Sequence, residues 1–89
     1  MNTFCFTKKA KKAFLKFPLL AQKCILKKLT ELKKHEDILS ALVRLHNFEP
    51  ATHRLRVGRY RLILQLMEHE LDHLDFWVLD VGHRTEVYR

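Results

Sequence analysis

The chain has 89 residues, which allows one small domain, residues 1–89, with a modest hydrophobic core. Hydrophobic residues make up 47% of the chain and charged residues 30%, a composition that excludes a disordered tail. The formal net charge of +7 favours a polyanionic partner, either a nucleic acid or an acidic protein.

The N-terminal segment does not have the pattern of a signal peptide. MNTFCFTKKA has no long apolar stretch, and no apolar run later in the chain approaches the length of a membrane span. We therefore expect a cytoplasmic protein without membrane attachment. Cys5 and Cys24 are expected to be free thiols that fill small spaces in the core.

The first half of the chain predicts one strand and two helices. Residues 2–6 are short, aromatic and roughly alternating, which is typical of a strand. Thr7 is a plausible N-cap for a helix over residues 8–17, and Pro18 ends that helix. A second helix is expected from residue 19 to about residue 34. Two helices joined this tightly should form an antiparallel hairpin.

Residues 36–51 are less regular and predict either a short third helix or a packed loop, ending at Pro50. Beyond them the hydrophobic period changes to two, which indicates strands over 52–57, 60–67 and 74–81. Gly58-Arg59 fits a two-residue hairpin turn with glycine first. Gly82 and His83 are expected to break the last strand, and residues 84–89 to form a tail or a short final strand.

The predicted order is therefore β-α-α-β-β-β, an α+β fold. The last three strands should form an antiparallel meander. The first strand must pair with them, and the helical hairpin should cover one face of a small antiparallel sheet.

The segment HELDH, residues 69–73, has the spelling of a zinc protease motif. That motif requires a helix, which places its two histidines one turn apart. Here it falls between two predicted strands, where the four-residue span is roughly 13 Å. Two imidazoles that far apart cannot share one zinc ion, so we predict no metal site and no cofactor.

The arginines indicate a site in the second half of the chain. All ten lysines lie between Lys8 and Lys34, whereas all seven arginines lie from Arg44 onward. Arg54 and Arg56 share a strand face by parity, and Arg61 belongs to the neighbouring strand. Further candidates follow the last strand: His83, Arg84, Tyr88 and Arg89. The set could grip a phosphate backbone and stack a base, or form salt links with an acidic partner, and spacing alone does not separate the two.

HRLRVGRYRLIL and VLDVGHRTEVYR, residues 53–64 and 78–89, resemble the RelE/ParE superfamily, the toxins of type II toxin–antitoxin systems. The N-terminal strand, FTKKAKKAFLKFP and the Lys-rich second helix fit the same pattern. The resemblance covers essentially the whole chain. It implies a helical hairpin on an antiparallel sheet.

The resemblance also implies an activity. RelE-like toxins enter the ribosomal A site and cleave mRNA, by attack of a ribose 2′-hydroxyl on the adjacent phosphate to give a 2′,3′-cyclic product. ParE-like toxins share the fold but inhibit DNA gyrase and have no nuclease site. Both branches are neutralised by an antitoxin, through which contact with operator DNA is expected.

Site residues are implied one by one. Arg61 matches the family arginine expected at the scissile phosphate, and Arg84 the arginine that stabilises charge on the phosphorane or leaving group. Tyr88 matches the tyrosine expected to stack on or orient the mRNA base. Arg54 lies where RelE has a lysine, and Arg56 keeps the basic strand. Arg59 and Arg89 are further RNA-binding candidates.

One departure from the family concerns the general base. RelE has two lysines on the strand where this chain has Thr52 and Arg54, and arginine stays protonated at working pH. His83 or His53 could substitute, although His83 also suits a turn and His53 alternates towards Leu55 and the core. Tyr60 and Trp77 are both expected in the core.

We therefore predict a ribosome-dependent mRNA endonuclease. Its expected partners are the ribosome, mRNA and an acidic antitoxin that folds on binding. Arg61, Arg84 and Tyr88 together favour this function over a ParE-like gyrase inhibitor. A third hypothesis is an inactive toxin-fold binding module, which the missing lysine pair would support.

Overall fold

The structure, a computed structural model, describes residues 1–70 and 73–83, with residues 68–70 described by their backbone. The helices are α1 (Lys8–Leu15), α2 (Leu19–Lys33) and a short 3₁₀ helix (Ile38–Ala41). The strands are β1 (Thr3–Phe6), β2 (Val43–Arg44), β3 (His53–Val57), β4 (Tyr60–Glu70) and β5 (His73–His83). Among the described residues, no helix is long and apolar enough to cross a bilayer.

The described strands form one five-stranded sheet in the order β1-β5-β4-β3-β2. The predicted meander is confirmed, because β3, β4 and β5 pair antiparallel in succession. β1 also pairs with the meander as expected, but it runs parallel to β5, so the sheet is mixed. A parallel pair needs a long crossover, and here nearly the whole chain lies between its two strands.

The helical hairpin follows the predicted signals. The hydroxyl of Thr7 accepts a hydrogen bond from the amide of Ala10 at 3.1 Å and so caps α1. α1 ends at Leu15, two residues earlier than expected, since a residue before proline avoids the α region. Pro18 is then the N-cap residue of α2. At the other end of α2, the buried amide group of Asn2 donates to the carbonyls of Leu32 and His35.

The core lies between the helical hairpin and one face of the sheet. Apolar residues from both layers are buried there: Ala10, Phe14, Ile25, Leu29, Leu32, Ile38, Leu42, Leu55, Leu62, Leu64, Phe76, Val78 and Val81. Tyr60 packs against this cluster as expected, with its ring centroid 4.6 Å from that of Phe17. Helices therefore cover one face, and the functional candidates have to be sought on the other.

The segment with the spelling of a zinc motif is not helical where it is described. β4 continues through Glu70 and β5 begins at His73, so His69 and His73 lie on two different strands. Within the described residues, no group of His, Cys, Asp and Glu could hold a metal ion. The His73 imidazole instead lies 2.7 Å from the carboxylate of Asp75.

Four expectations about individual positions were wrong or incomplete. Cys5 and Cys24 are exposed and do not fill the core. Trp77 is also outside the core, with 39% of its surface exposed. β5 does not break at Gly82 and His83, because these residues pair with Arg61 and Tyr60 at the start of β4. The irregular segment before Pro50 contains β2 as well as the 3₁₀ helix.

Candidate nucleic-acid interface

We call one face of the sheet the open face, because none of the described helices covers it. It is defined by the residues of β3, β4 and β5 that alternate with the buried ones: Arg54, Arg56, Arg61, Ile63, Gln65 and Trp77. The predicted common face of Arg54 and Arg56 is confirmed, since the buried His53 and Leu55 alternate with them. The described part of this face carries three arginines near one end.

The three arginines are neighbours across two strands. Arg56 lies directly opposite Arg61, and Arg54 lies opposite Ile63, the next residue of β4 on the same face. The Nε atoms of Arg54 and Arg61 are shielded from solvent, whereas Arg56 is exposed. Like charges directly opposite each other destabilise a strand pair, by roughly 0.2–1 kcal/mol. An anion bound between the guanidinium groups would remove that repulsion.

A tight turn joins the two arginine-bearing strands. Gly58 is its first residue, with φ of +58°, a conformation that an L-side chain rarely adopts. Arg59 is the second turn residue and is exposed at the tip. The predicted glycine-first turn is thus confirmed, and it fixes the register that places Arg56 opposite Arg61.

The residues of β5 beside Arg61 add little side-chain volume and little negative charge. Its partner there is Gly82, which has no side chain. The nearest acidic residue along β5, Asp80, lies opposite Ile63, and its carboxylate is 3.5 Å from the ammonium group of Lys9. Lys9 therefore offsets the acidic charge that is nearest to Arg61 along β5.

His83 is separated from the open face. It pairs with Tyr60, and the two rings meet edge to face with centroids 5.9 Å apart. Because Tyr60 packs on the core, this register places His83 on the helix-covered side of the sheet. The structure brings Arg54, Arg56 and Arg61 together and places His83 on the opposite face.

His53 is on the helix-covered face as well, as its alternation with Arg54 predicts. It is 9% exposed, and its Nδ1 atom lies 2.9 Å from the hydroxyl of Thr52. Burial, and secondarily the positive charge of Arg44, lower the pKa of His53 below its ordinary value. A buried neutral imidazole on this side cannot take a proton from a substrate on the open face.

Thr52, at one of the two positions where RelE has lysine, has a structural contact. Its hydroxyl accepts a hydrogen bond from the amide of Leu66 at 2.8 Å, which ties the segment before β3 to β4. The basic residues of this strand are therefore the two arginines that follow Thr52. Arg84, Tyr88 and Arg89, which the resemblance places in the same site, lie outside the described residues.

Sequence reasoning missed Trp77 as a member of the open face. The signal was present in LDFWVLDV, because the buried Phe76 and Val78 flank Trp77 and alternation then sends its ring to the opposite side. Its partners in the sheet are Gln65 on β4 and Cys5 on β1. An exposed indole thus shares a face with the arginines.

The fold has solved counterparts, although no family model and no curated protein sequence matches the chain. A chain of the toxin–antitoxin complex RelBE2 from Mycobacterium tuberculosis is 24% identical, with a TM-score of 0.74 over 92% of this chain and 96% of that one. A chain of the intact Escherichia coli RelBE toxin–antitoxin complex is 23% identical, with a TM-score of 0.63 over 90% and 93%. The chain therefore has the fold found in RelBE toxin–antitoxin complexes, as the resemblance of its motifs implies.

Proposed function

We propose that this chain is the toxin of a type II toxin–antitoxin system and cleaves mRNA in the ribosomal A site. The observation that carries the proposal is the cluster of Arg54, Arg56 and Arg61 on the open face. Guanidinium groups bind phosphate oxygens in a planar fork, and a strand of RNA presents one phosphate per nucleotide. A toxin that cleaves mRNA on the ribosome acts in the cytoplasm, so we propose that location for this chain.

The reaction is a transesterification at phosphorus. The ribose 2′-oxygen loses its proton and attacks the adjacent phosphate, while the bond from phosphorus to the 5′-oxygen breaks and that oxygen takes up a proton. The products are a 2′,3′-cyclic phosphate and a free 5′-hydroxyl. Negative charge builds on the non-bridging oxygens in the transition state, and arginines fixed before the reaction lower that barrier.

Three residues act at the reacting nucleotides in this proposal, and four further arginines bind the RNA backbone. Arg61, partly buried and held against Gly82 and Arg56, contacts the scissile phosphate. Arg84 stabilises the phosphorane or the leaving group, and Tyr88 orients the base, by resemblance to the family motif.

The other candidates bind the RNA backbone in this proposal: Arg56, Arg59 and Arg89. Arg54 binds phosphate and cannot act as the base, because a guanidinium keeps its proton at working pH.

An acidic antitoxin is the proposed protein partner. The chain carries a net charge of +7, and an acidic disordered segment that folds on contact would neutralise it. The helical hairpin also exposes several large apolar side chains: Leu15, Leu19, Leu20 and Leu26. Both similar structures are toxin–antitoxin complexes, which supports a partner of this kind. Contact with operator DNA is proposed through the antitoxin.

A toxin-fold protein without nuclease activity, either a gyrase inhibitor or an inactive binding module, is the second candidate. The observation that favours it is the strand residue pair Thr52 and Arg54, neither of which can serve as the lysine base of RelE. In that case the arginines of the open face would bind an acidic protein surface.

A primer-extension assay on programmed ribosomes tests the proposal. Wild type is compared with Arg61→Ala and Arg84→Ala, with ribosome-free mRNA as one control. Arg44→Ala is the matched variant, because Arg44 is an exposed arginine that pairs with His53 and so belongs to the other face. We expect cuts in the A-site codon for wild type and Arg44→Ala and their loss in the other two variants.

Two outcomes would contradict the proposal, one for its residue roles and one for the nuclease activity. Cuts that persist in Arg61→Ala and Arg84→Ala would remove the proposed roles of these residues. Growth arrest without any cleavage would favour the second candidate, and a gyrase supercoiling assay would then measure it directly.

A further inference from the structure

Trp77 is an exposed aromatic residue in the middle of the open face. Its neighbours along β5, Phe76 and Val78, are 2% and 0% exposed, whereas Trp77 is 39% exposed. It is also the only tryptophan of the chain. With 39% of its surface accessible, the indole ring is available to a planar group that approaches this face.

The register of the sheet relates Trp77 to the arginines. Trp77 lies opposite Gln65 on β4, four residues along that strand from Arg61. Residues 61, 63 and 65 alternate without interruption, so Arg61 and Gln65 share the open face. Four residues of strand span about 13 Å. The indole therefore lies on the same surface as the arginine cluster but beyond the reach of a group bound at Arg61.

The charges along the face favour a polyanion whose backbone lies at the arginine end. Asp80 is offset by Lys9. Asp75, on the far side of Trp77, accepts hydrogen bonds from the Thr3 hydroxyl and the His73 imidazole, and the Thr3 bond is the main cause that lowers its pKa. The three arginines thus lie at one end of the described face, Trp77 in the middle and the carboxylate of Asp75 beyond it. Asp80 lies between the arginines and Trp77, where Lys9 offsets its charge.

We propose that Trp77 is a stacking platform for a base of the bound RNA, and this inference rests on the proposed function. The base belongs to a nucleotide outside the scissile pair. Stacked bases of one strand are about 3.4 Å apart, whereas Trp77 is about 13 Å along the strand from Arg61. Every base has a π-face, so such a platform binds single strands with little dependence on sequence. Trp77 is a positioning residue, since it holds the strand while Arg61 contacts the reacting phosphate.

Single-turnover cleavage on programmed ribosomes, at toxin concentrations below saturation, measures this role. We compare wild type with Trp77→Phe, which keeps an aromatic ring, and Trp77→Leu, which keeps apolar bulk without one. We expect a loss of about 5- to 150-fold for Trp77→Leu. Trp77→Phe should stay close to wild type. Leu39→Ala, which alters an exposed apolar residue of the 3₁₀ helix, is the control, and thermal unfolding verifies that each variant folds.

A scan of abasic nucleotides along the mRNA identifies the stacked base. In wild type, removal of one base outside the scissile pair should slow cleavage. In Trp77→Leu, removal of that same base should cost nothing further, because the interaction is already lost. The inference would be overturned if each abasic position slowed cleavage by the same factor in Trp77→Leu as in wild type. It would also be overturned if Trp77→Leu cleaved intact mRNA at the wild-type rate.

The remaining outcomes separate the inference from the proposed function. If Arg61→Ala abolishes cleavage while Trp77→Leu does not slow it, the nuclease stands and the stacking role falls. If Trp77→Leu cleaves normally but escapes neutralisation by the antitoxin, the indole is a contact for the partner protein and the inference is wrong. If wild type cleaves no mRNA, both proposals fail together.

Discussion

Arg56 on β3 and Arg61 on β4 lie directly opposite each other on the open face of the sheet. Two guanidinium groups in this arrangement repel each other in the free protein, and the Gly58-Arg59 turn holds them in place. Such a pair is expected to decrease the stability of the hairpin and, under the proposed function, to increase its affinity for a phosphate. Its two effects can be measured separately.

Arg56→Thr should stabilise the protein and weaken RNA binding. Removal of one of two opposed charges relieves roughly 0.2–1 kcal/mol of repulsion, and threonine suits a strand. The free energy of unfolding in urea should rise. RNA affinity should fall and lose about 0.7 from its logarithmic salt slope, the value for one phosphate contact on a single strand. A variant that is less stable and binds RNA as well as wild type would contradict both expectations.

His83→Asn should leave most of the cleavage rate intact. His83 packs against Tyr60 on the side of the sheet opposite to Arg61. Loss of a general base costs about 10²–10⁴-fold. We expect a decrease of less than about tenfold in single-turnover cleavage, together with an unchanged pH profile. A larger loss accompanied by a changed profile would identify His83 as the base after all.

Stability should fall in mild acid, partly because of His53. Burial lowers its pKa in the folded state, so the unfolded chain, with a histidine pKa near 6.5, binds the proton first as the pH falls. The free energy of unfolding begins to decrease as the pH falls through 6.5, and the decrease is complete below the lowered pKa of the folded state. Above pH 6.5, His53 contributes no pH dependence to the stability.

Urea unfolding at pH 7.5 and pH 5.5 tests this expectation. His53→Gln should lose less stability between the two pH values than wild type does, since the titrating group is gone. The exposed His46→Gln variant controls for the removal of a histidine elsewhere. Equal losses in wild type and His53→Gln would show that other groups cause the acid sensitivity.

Gly58→Ala should destabilise the hairpin through backbone strain alone. A Cβ at this position would meet no heavy atom within 4 Å, yet the residue has φ of +58°. An alanine in this left-handed region costs about 1–2 kcal/mol, whereas asparagine tolerates it better. In chemical denaturation, wild type should be the most stable protein, Gly58→Asn the next and Gly58→Ala the least stable. Equal stability of the Ala and Asn variants would argue against strain as the cause.

The helices and the meander could be predicted because their signals are local. Thr7 caps α1, Pro18 separates α1 from α2, and Gly58 begins the turn between β3 and β4. Each is a preference of a few neighbouring residues and needs no distant contact. The same holds for the common face of Arg54 and Arg56, which follows from the two-residue period of a strand.

The face of His83 could not be obtained by counting along the strand. β5 departs from regular pairing at Leu79, since Ile63 pairs with Asp80 and Leu64 with Val78. An extra residue reverses the parity of everything beyond it. Val78 and Val81 are consequently both buried although they are three residues apart, and His83 follows Val81 to the helix-covered side.

By itself, then, the sequence determined the helical hairpin, the β3–β5 meander and an arginine-bearing face, because periodicity, caps and turn residues act over short distances. Tertiary structure decided the parallel pairing of β1 with β5, the short strand β2 and the bulge that turns His83 away. It also decided that none of the described helices covers the face that carries the arginines and Trp77. These features depend on contacts between residues far apart in the chain, where the free energy of packing the whole sheet against two helices outweighs local preference.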